Sequence, residues 1–164
     1  MRPSAPEPDD EPRALPDTVI ASLQAADKEQ VLDQLSARAA SLLGLDAGCI
    51  REALAARERL GSTSLGRGIA MPHARLASVE RVFLLLARLD RPIEFGGDDP
   101  PVDLVFLLLA PQAAGCEYLH MLAALAKSLR DGTTACRLRA AKDQAELGRV
   151  LAGMAPAATR RIPV

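Results

Sequence analysis

The chain has 164 residues, enough for one domain with a real hydrophobic core. With 49% hydrophobic and 25% charged residues it is neither wholly disordered nor collagen-like, and no apolar run approaches the ~20 residues that span a bilayer. Twenty Lys+Arg against 21 Asp+Glu leave a formal net charge of -1, and aromatics are only 2%, so the basic, base-stacking footprint of a nucleic-acid binder is missing.

Residues 1–17 carry Pro3, Pro6, Pro8, Pro12 and Pro16 together with five acidic residues, and hold no apolar stretch of the kind found in a secretory signal. Such a segment cannot bury enough apolar surface to offset its ordering entropy, so it reads as a flexible acidic tail. A first helix is expected from Lys28 to Leu43, capped by Asp27 with Gln30 three residues on and ended by Gly44. Its apolar stripe is Val31, Leu32, Leu35, Ala39, Leu42 and Leu43. Asp46 caps a second expected helix that stops before Gly61. Its stripe runs Ile50, Ala53, Leu54 and then Arg57, so a cation occupies the last core-facing slot and must reach an anion or water.

Two continuous apolar runs, Val82 to Ala87 and Leu104 to Ala110, are bounded by turn residues and read as strands covered on both faces. Shorter strands are expected around Ile69 to Met71 and near Ile93. A helix from about Cys116 to Arg130 is expected to bury Leu119, Leu122, Ala126 and Leu129, with Gly132 closing it. Two short helices follow, Thr134 to Ala140 and Gln144 to Gly153, the second with Asp143 and Glu146 as a capping pair. This alternation implies an α/β fold with helices on both faces of one sheet. Cys49, Cys116 and Cys136 are odd in number, far apart and without a CxxC, and are expected as reduced, mostly buried thiols of a cytoplasmic protein.

Between the second helix and the first long strand lies a loop from Gly61 to Arg75 with three glycines and three hydroxyls in its first eight residues. Backbone N–H groups and hydroxyls of this kind suit an anion such as phosphate. The nucleotide fingerprints fail, because Arg67-Gly68 replaces the Lys-Ser/Thr of an NTP-binding loop and Met71 replaces the last Gly of GxGxxG. No GxSxG or HExxH is present, and two histidines are too few for a convincing metal site. His73 follows Pro72, which fixes the backbone before it, and a neutral imidazole beside such a loop is competent to accept a phosphoryl group. His120 falls early in its helix on the flank of Ala123, Ala124 and Lys127, where a neutral ring has a hydrogen bond to offer.

The stretch from Arg57 through Glu58, Gly61-Ser62-Thr63, Gly66, Gly68-Ile69-Ala70 and Pro72-His73 resembles the long RExxGSTxxGxGIAxPH signature of the fructose/mannitol-type IIA domains of the bacterial phosphotransferase system, and within them the nitrogen-regulatory form. The resemblance covers about 18–155, including residues 101–106 and 119–127, and leaves a short C-terminal tail at 156–164. It implies a mixed β-sheet flanked by helices. It implies further that His73 is phosphorylated through Nε2, that Arg57 and His120 surround the phosphoryl group, and that the donor is the phosphohistidine of a histidine-containing phosphocarrier protein.

On that basis Ser62, Thr63 and loop N–H groups are expected to bind phosphate, and Leu65, Ile69 and Met71 to offer the carrier an apolar docking surface. No metal or organic cofactor is expected. The role implied is a cytoplasmic regulatory phosphoprotein, not a free-standing multi-turnover enzyme, whose targets (transporters or sensor kinases) respond to its phosphorylation state. The alternative is a IIA component of a sugar-transporting system that passes phosphate to a IIB domain. A pure binding module is disfavoured by the set of Arg57, His73 and His120. The sequence departs from the family pattern at Ser64 and Ala74 (usually Gly), Arg67 (often Asn) and Met71 (usually Ile or Val). A positive φ at Ser64 or Ala74 would cost on the order of 1 kcal/mol.

Overall fold

The computed structural model describes residues 18–154, and the expected tails at 1–17 and 156–164 lie outside the described residues. Strand β1 (Val19–Leu23) leads into helix α1 (Lys28–Leu43) and helix α2 (Ala47–Arg59). Three short strands follow, β2 (Ser64–Gly66), β3 (Ile69–Ala70) and β4 (His73–Leu76), and then two long ones, β5 (Phe83–Ile93) and β6 (Val102–Pro111). Helices α3 (Cys116–Arg130), α4 (Thr133–Ala140) and α5 (Gln144–Met154) complete the described chain.

The helix limits follow from local chemistry. Asp27 and Asp46 accept the Gln30 and Cys49 N–H groups that would otherwise be orphaned, and Gly44 turns the chain out of α1 at φ 68°. Asp143 accepts from Glu146 N, and the Glu146 carboxylate in turn accepts from Lys142 N.

The sheet is mixed, in the order β1-β5-β6-β3-β2, with β4 also on β6. β5 and β6 are antiparallel, whereas β1 on β5 and both β3 and β4 on β6 are parallel. β3 pairs with Leu104 and Val105, and β4 with Leu108 to Pro111, so the two lie end to end along one edge of β6 with Met71-Pro72 between them.

β6 alternates across the sheet, as a strand must. Val105, Leu107 and Leu109 face the α1/α2 side with Leu32, Leu35, Ile50 and Leu54. Leu104 and Phe106 face the other side with Leu125, Leu129, Leu138 and Leu147. The fully apolar run is therefore covered twice, and each Leu so buried contributes about 1.5–3 kcal/mol. The region near Ile93 is the end of β5 rather than a separate strand.

Two expectations need correction. All three cysteines are free and exposed, not mostly buried. The buried stripe of α3 is Tyr118, Met121, Leu125 and Leu129, while Leu119 is 62% exposed. Of the expected stripe, Leu129 is buried and Leu122 and Ala126 pack against the same core, so only Leu119 is displaced, because Tyr118 and Met121 supply the inward positions of the first turns. Among the described residues no helix is long and apolar enough to cross a membrane.

Candidate functional site

Two sequence-local devices bring Arg57 and His73 together. Arg57 is in the last turn of α2, and its Nη1 donates to Gly61 O at 3.0 Å, which holds the guanidinium over the turn that follows. His73 is the first residue of β4 rather than a loop residue. Pro72 O accepts from Leu108 N at 3.0 Å, and His73 lies opposite Leu108, so β6 fixes the backbone on which the ring is mounted.

The half-buried imidazole has a partner at each nitrogen. Nδ1 lies 2.9 Å from Met71 O, and Arg57 Nε donates to Nε2 at 3.1 Å. A carbonyl only accepts and a guanidinium N–H only donates, so the proton sits on Nδ1 and the lone pair on Nε2. Burial, chiefly, pulls the ring below its ordinary pKa of 6.5, and the Arg57 charge pulls the same way, against the Met71 carbonyl and Glu58. The neutral form is the resting form.

His73 and Arg57 line a cleft of about 630 Å³ together with Ala53, Ala56, Leu60, Arg75, Tyr118 and Leu119. Tyr118, in the first turn of α3, meets His73 edge-on with ring centroids 6.3 Å apart. The Arg75 guanidinium lies over its ring at 5.8 Å. Burial pushes the Tyr118 hydroxyl up to about 12 against the opposing pull of Arg75 and Arg57. Gly115 precedes α3 with no side-chain cap, so the first turn beside the cleft offers a positive helix end. Two guanidinia and a helix N-terminus make the cleft a place for an anion, and the unprotonated Nε2 stands beside them as a nucleophile.

The other expected residues sit elsewhere. His120 is exposed on the flank of α3 with Ala123, Ala124 and Lys127, and it does not line the cleft. Thr63 is buried and donates its hydroxyl to Glu58, whose carboxylate also pairs with Lys28 at 2.6 Å. That hydroxyl is occupied, and the network ties the loop to α1 instead of to His73. Ser62 is exposed, accepts from Ser64 N at 3.2 Å and stands against Gly96, outside the cleft. Ile69 and Met71 are 2% and 5% exposed and belong to the core on the α3–α5 side, and half-buried Leu65 packs against that same core. The large apolar side chains that do stand in water at the cleft are Leu60 and Leu119, at 85% and 62% exposure.

Tyr118, Arg75, Leu60 and Leu119 were not found by sequence reasoning. A stripe counted from Tyr118 through Met121, Leu122, Leu125 and Leu129 fits the helical period and would have turned Tyr118 toward the sheet and Leu119 toward water. Among the described residues no group of three or more His, Cys, Asp or Glu is placed to hold a metal ion.

Residues 15–153 match the family described as phosphoenolpyruvate-dependent sugar phosphotransferase system, EIIA 2. A protein of Bradyrhizobium diazoefficiens named nitrogen regulatory protein is 46% identical over 138 residues, covering 84% of this chain and 90% of that protein. The crystal structure of nitrogen regulatory protein IIA-Ntr from Neisseria meningitidis superposes with a TM-score of 0.78 at 29% identity, over 83% of this chain and 94% of that one. The crystal structure of IIA mannitol from Escherichia coli shares the fold, with a TM-score of 0.68 at 22% identity over 82% of this chain and 96% of that one.

Proposed function

Since the chain belongs to the phosphotransferase-system EIIA 2 family, we propose that it accepts a phosphoryl group on His73 Nε2 from the phosphohistidine of a histidine-containing phosphocarrier. It then regulates partner proteins in the cytoplasm according to whether that group is present. The observation that carries this reading is the tautomer: Met71 O holds the proton on Nδ1 and leaves Nε2 as the nucleophile.

The step balances without a proton leaving either ring. The Nε2 lone pair forms the new P–N bond as the donor's P–N bond breaks, and that electron pair returns to the donor imidazole. Each ring keeps the proton on its other nitrogen, here Nδ1 against Met71 O. Transfer passes through a loose transition state with charge on three equatorial oxygens, so positioning and electrostatics do most of the work. Arg57 already touches Nε2 and moves its N–H from nitrogen to phosphoryl oxygen as the group arrives. At ~4 Å such a pair is worth about 4 kcal/mol per unit charge near a protein surface. Arg75 and the uncapped start of α3 add to the same field. The carrier docks on exposed Leu60 and Leu119, a small patch suited to a transient contact.

A regulatory role is supported by the name of the 46% identical relative. Phosphorylation would place about two negative charges in the middle of the docking face, enough to exchange one partner for another. The test is transfer of labelled phosphate from phosphorylated carrier, followed by mapping of the label and by affinity capture with phosphorylated protein and with His73→Ala. The reading expects label on the peptide holding His73, none in His73→Ala, and partners that differ between the two forms. Onward transfer to a IIB domain would move the assignment to sugar transport, and full labelling of His73→Ala would end it. In this geometry Arg57→Ala is expected to lose more transfer than His120→Ala.

A further inference from the structure

Tyr118 is the only tyrosine in the chain. The residue is 4% exposed, and its hydroxyl is buried with no hydrogen-bond partner among the described residues. A tyrosine in a core normally places its hydroxyl against an acceptor or water, because leaving it unpaired forfeits the bonds it made in the unfolded chain. The packing around it is apolar: Leu108, Ala110 and Met121 with Ala114 and Leu122. Among these side chains only the Met121 thioether is an acceptor, a weak one, and the hydroxyl makes no bond to it. A phenylalanine would fill this position as well, unless the hydroxyl has a partner that comes and goes.

Tyr118 borders the polar cleft of His73, Arg57 and Arg75. The ring stands edge-on to the imidazole at 6.3 Å between centroids, and the Arg75 guanidinium covers its face. Arg75 itself is exposed and donates from Nη1 to Ala114 O at 3.2 Å, which leaves its other N–H groups to offer an anion. We propose that the Tyr118 hydroxyl is the second hydrogen-bond donor to the phosphoryl group on His73, in the position the sequence assigned to His120. The inference rests on His73 being the phosphoryl acceptor. The hydroxyl keeps its proton throughout. It donates to a phosphoryl oxygen, and the P–N exchange proceeds as described above. Held in reserve in the free protein, this donor gains a partner only when phosphate is present, so its interaction favours the phosphorylated state and the transition state over the empty one.

Tyr118→Phe tests this, because it removes the hydroxyl and keeps the ring. Single-turnover transfer from phosphorylated carrier is measured across carrier concentration in wild type, Tyr118→Phe, His120→Ala and His73→Ala, with thermal melting of each unphosphorylated protein. A hydrogen bond to a charged group predicts a fall of about tenfold or more in the limiting transfer rate of Tyr118→Phe. Its half-saturating carrier concentration and its melting temperature should match or exceed those of wild type. His120→Ala should transfer at the wild-type rate. Wild-type transfer by Tyr118→Phe with His73→Ala inert would overturn the inference and leave the His73 assignment standing. So would a rate loss in His120→Ala alone, or a lowered melting temperature in Tyr118→Phe. Labelling of His73→Ala would instead remove the premise.

Discussion

Desolvation dominates the behaviour of the His73 imidazole and acts against its charged form, with Arg57 pulling the same way and the Met71 carbonyl and Glu58 opposing. The folded ring therefore protonates below its ordinary value of 6.5. The unfolded chain binds a proton in a pH range where the folded chain does not. The stability His73 contributes is thus complete above about 6.5 and is lost as pH falls through the folded value. A titration of the ring by NMR should place the midpoint below 6.5, and Arg57→Met should move it upward by removing a neighbouring cation. A midpoint unmoved in Arg57→Met would sever the link between the two side chains. Arg57 was legible because a cation at the fourth position of an apolar stripe has to reach a partner. Thr63 was expected to offer its hydroxyl to phosphate, whereas in the folded chain it donates to Glu58, a pairing that no local pattern announces.

The helices were legible almost to the residue, since an aspartate cap and a terminating glycine act within a few residues of chain. The short strands β2 and β4 were not, and neither was β1. They span 3, 4 and 5 residues and exist because β3, β6 and β5 offer them edges, which no local pattern announces. The β2–β3 hairpin also answers the question of strain. Ser64 and Ala74 do not take positive φ; Arg67 does, at 56°, followed by Gly68 at 78°. Positive φ at both central positions of a two-residue turn matches the twist of the strands it joins. An Arg there costs on the order of 1 kcal/mol that Gly would not. Arg67 recovers part of it by donating to Arg130 O at the end of α3, at 2.8 Å. Arg139, paired with Asp103, donates to Arg67 O at the same distance, 2.8 Å. The two glycines beside Arg67 should then respond differently to alanine. Gly66→Ala would meet only Asp99 Oδ1 at an ordinary contact distance of 4.0 Å and should cost about 1 kcal/mol from its φ alone. Gly68→Ala would put a Cβ 2.8 Å from Arg139 Nη2 and 3.3 Å from Pro101 O, and should cost distinctly more. Denaturant melts of the pair check this, and equal losses would argue against the tight docking of the turn.

For the molecule as a whole, one sheet separates two packed cores, and the site lies where α2, β4 and the start of α3 meet at the sheet's edge. Transfer between two proteins needs that edge to be both rigid and reachable. β6 supplies the rigidity through Leu108, and Leu60 and Leu119 supply apolar contact at the rim. Leu119→Ser should change stability by no more than about 0.5 kcal/mol, as expected for an exposed position. It should raise the half-saturating carrier concentration severalfold without changing the limiting rate; an unchanged concentration would place docking elsewhere. The two helical layers followed from the alternation of elements and from two short, turn-bounded apolar runs that read as strands covered on both faces, whereas the mixed order of the sheet was implied only by the family resemblance. The shape of the rim was not legible, because in the first turn of α3 Tyr118 rather than Leu119 turns inward. The central claim is that phosphate sits on Nε2 of His73 while Nδ1 keeps its proton. Nitrogen-15 NMR of the phosphorylated protein reads both atoms directly. Phosphorus coupled to Nε2 of residue 73 beside a protonated Nδ1 is the expected result, whereas phosphorus on Nδ1, on His120 or on no histidine would refute the assignment.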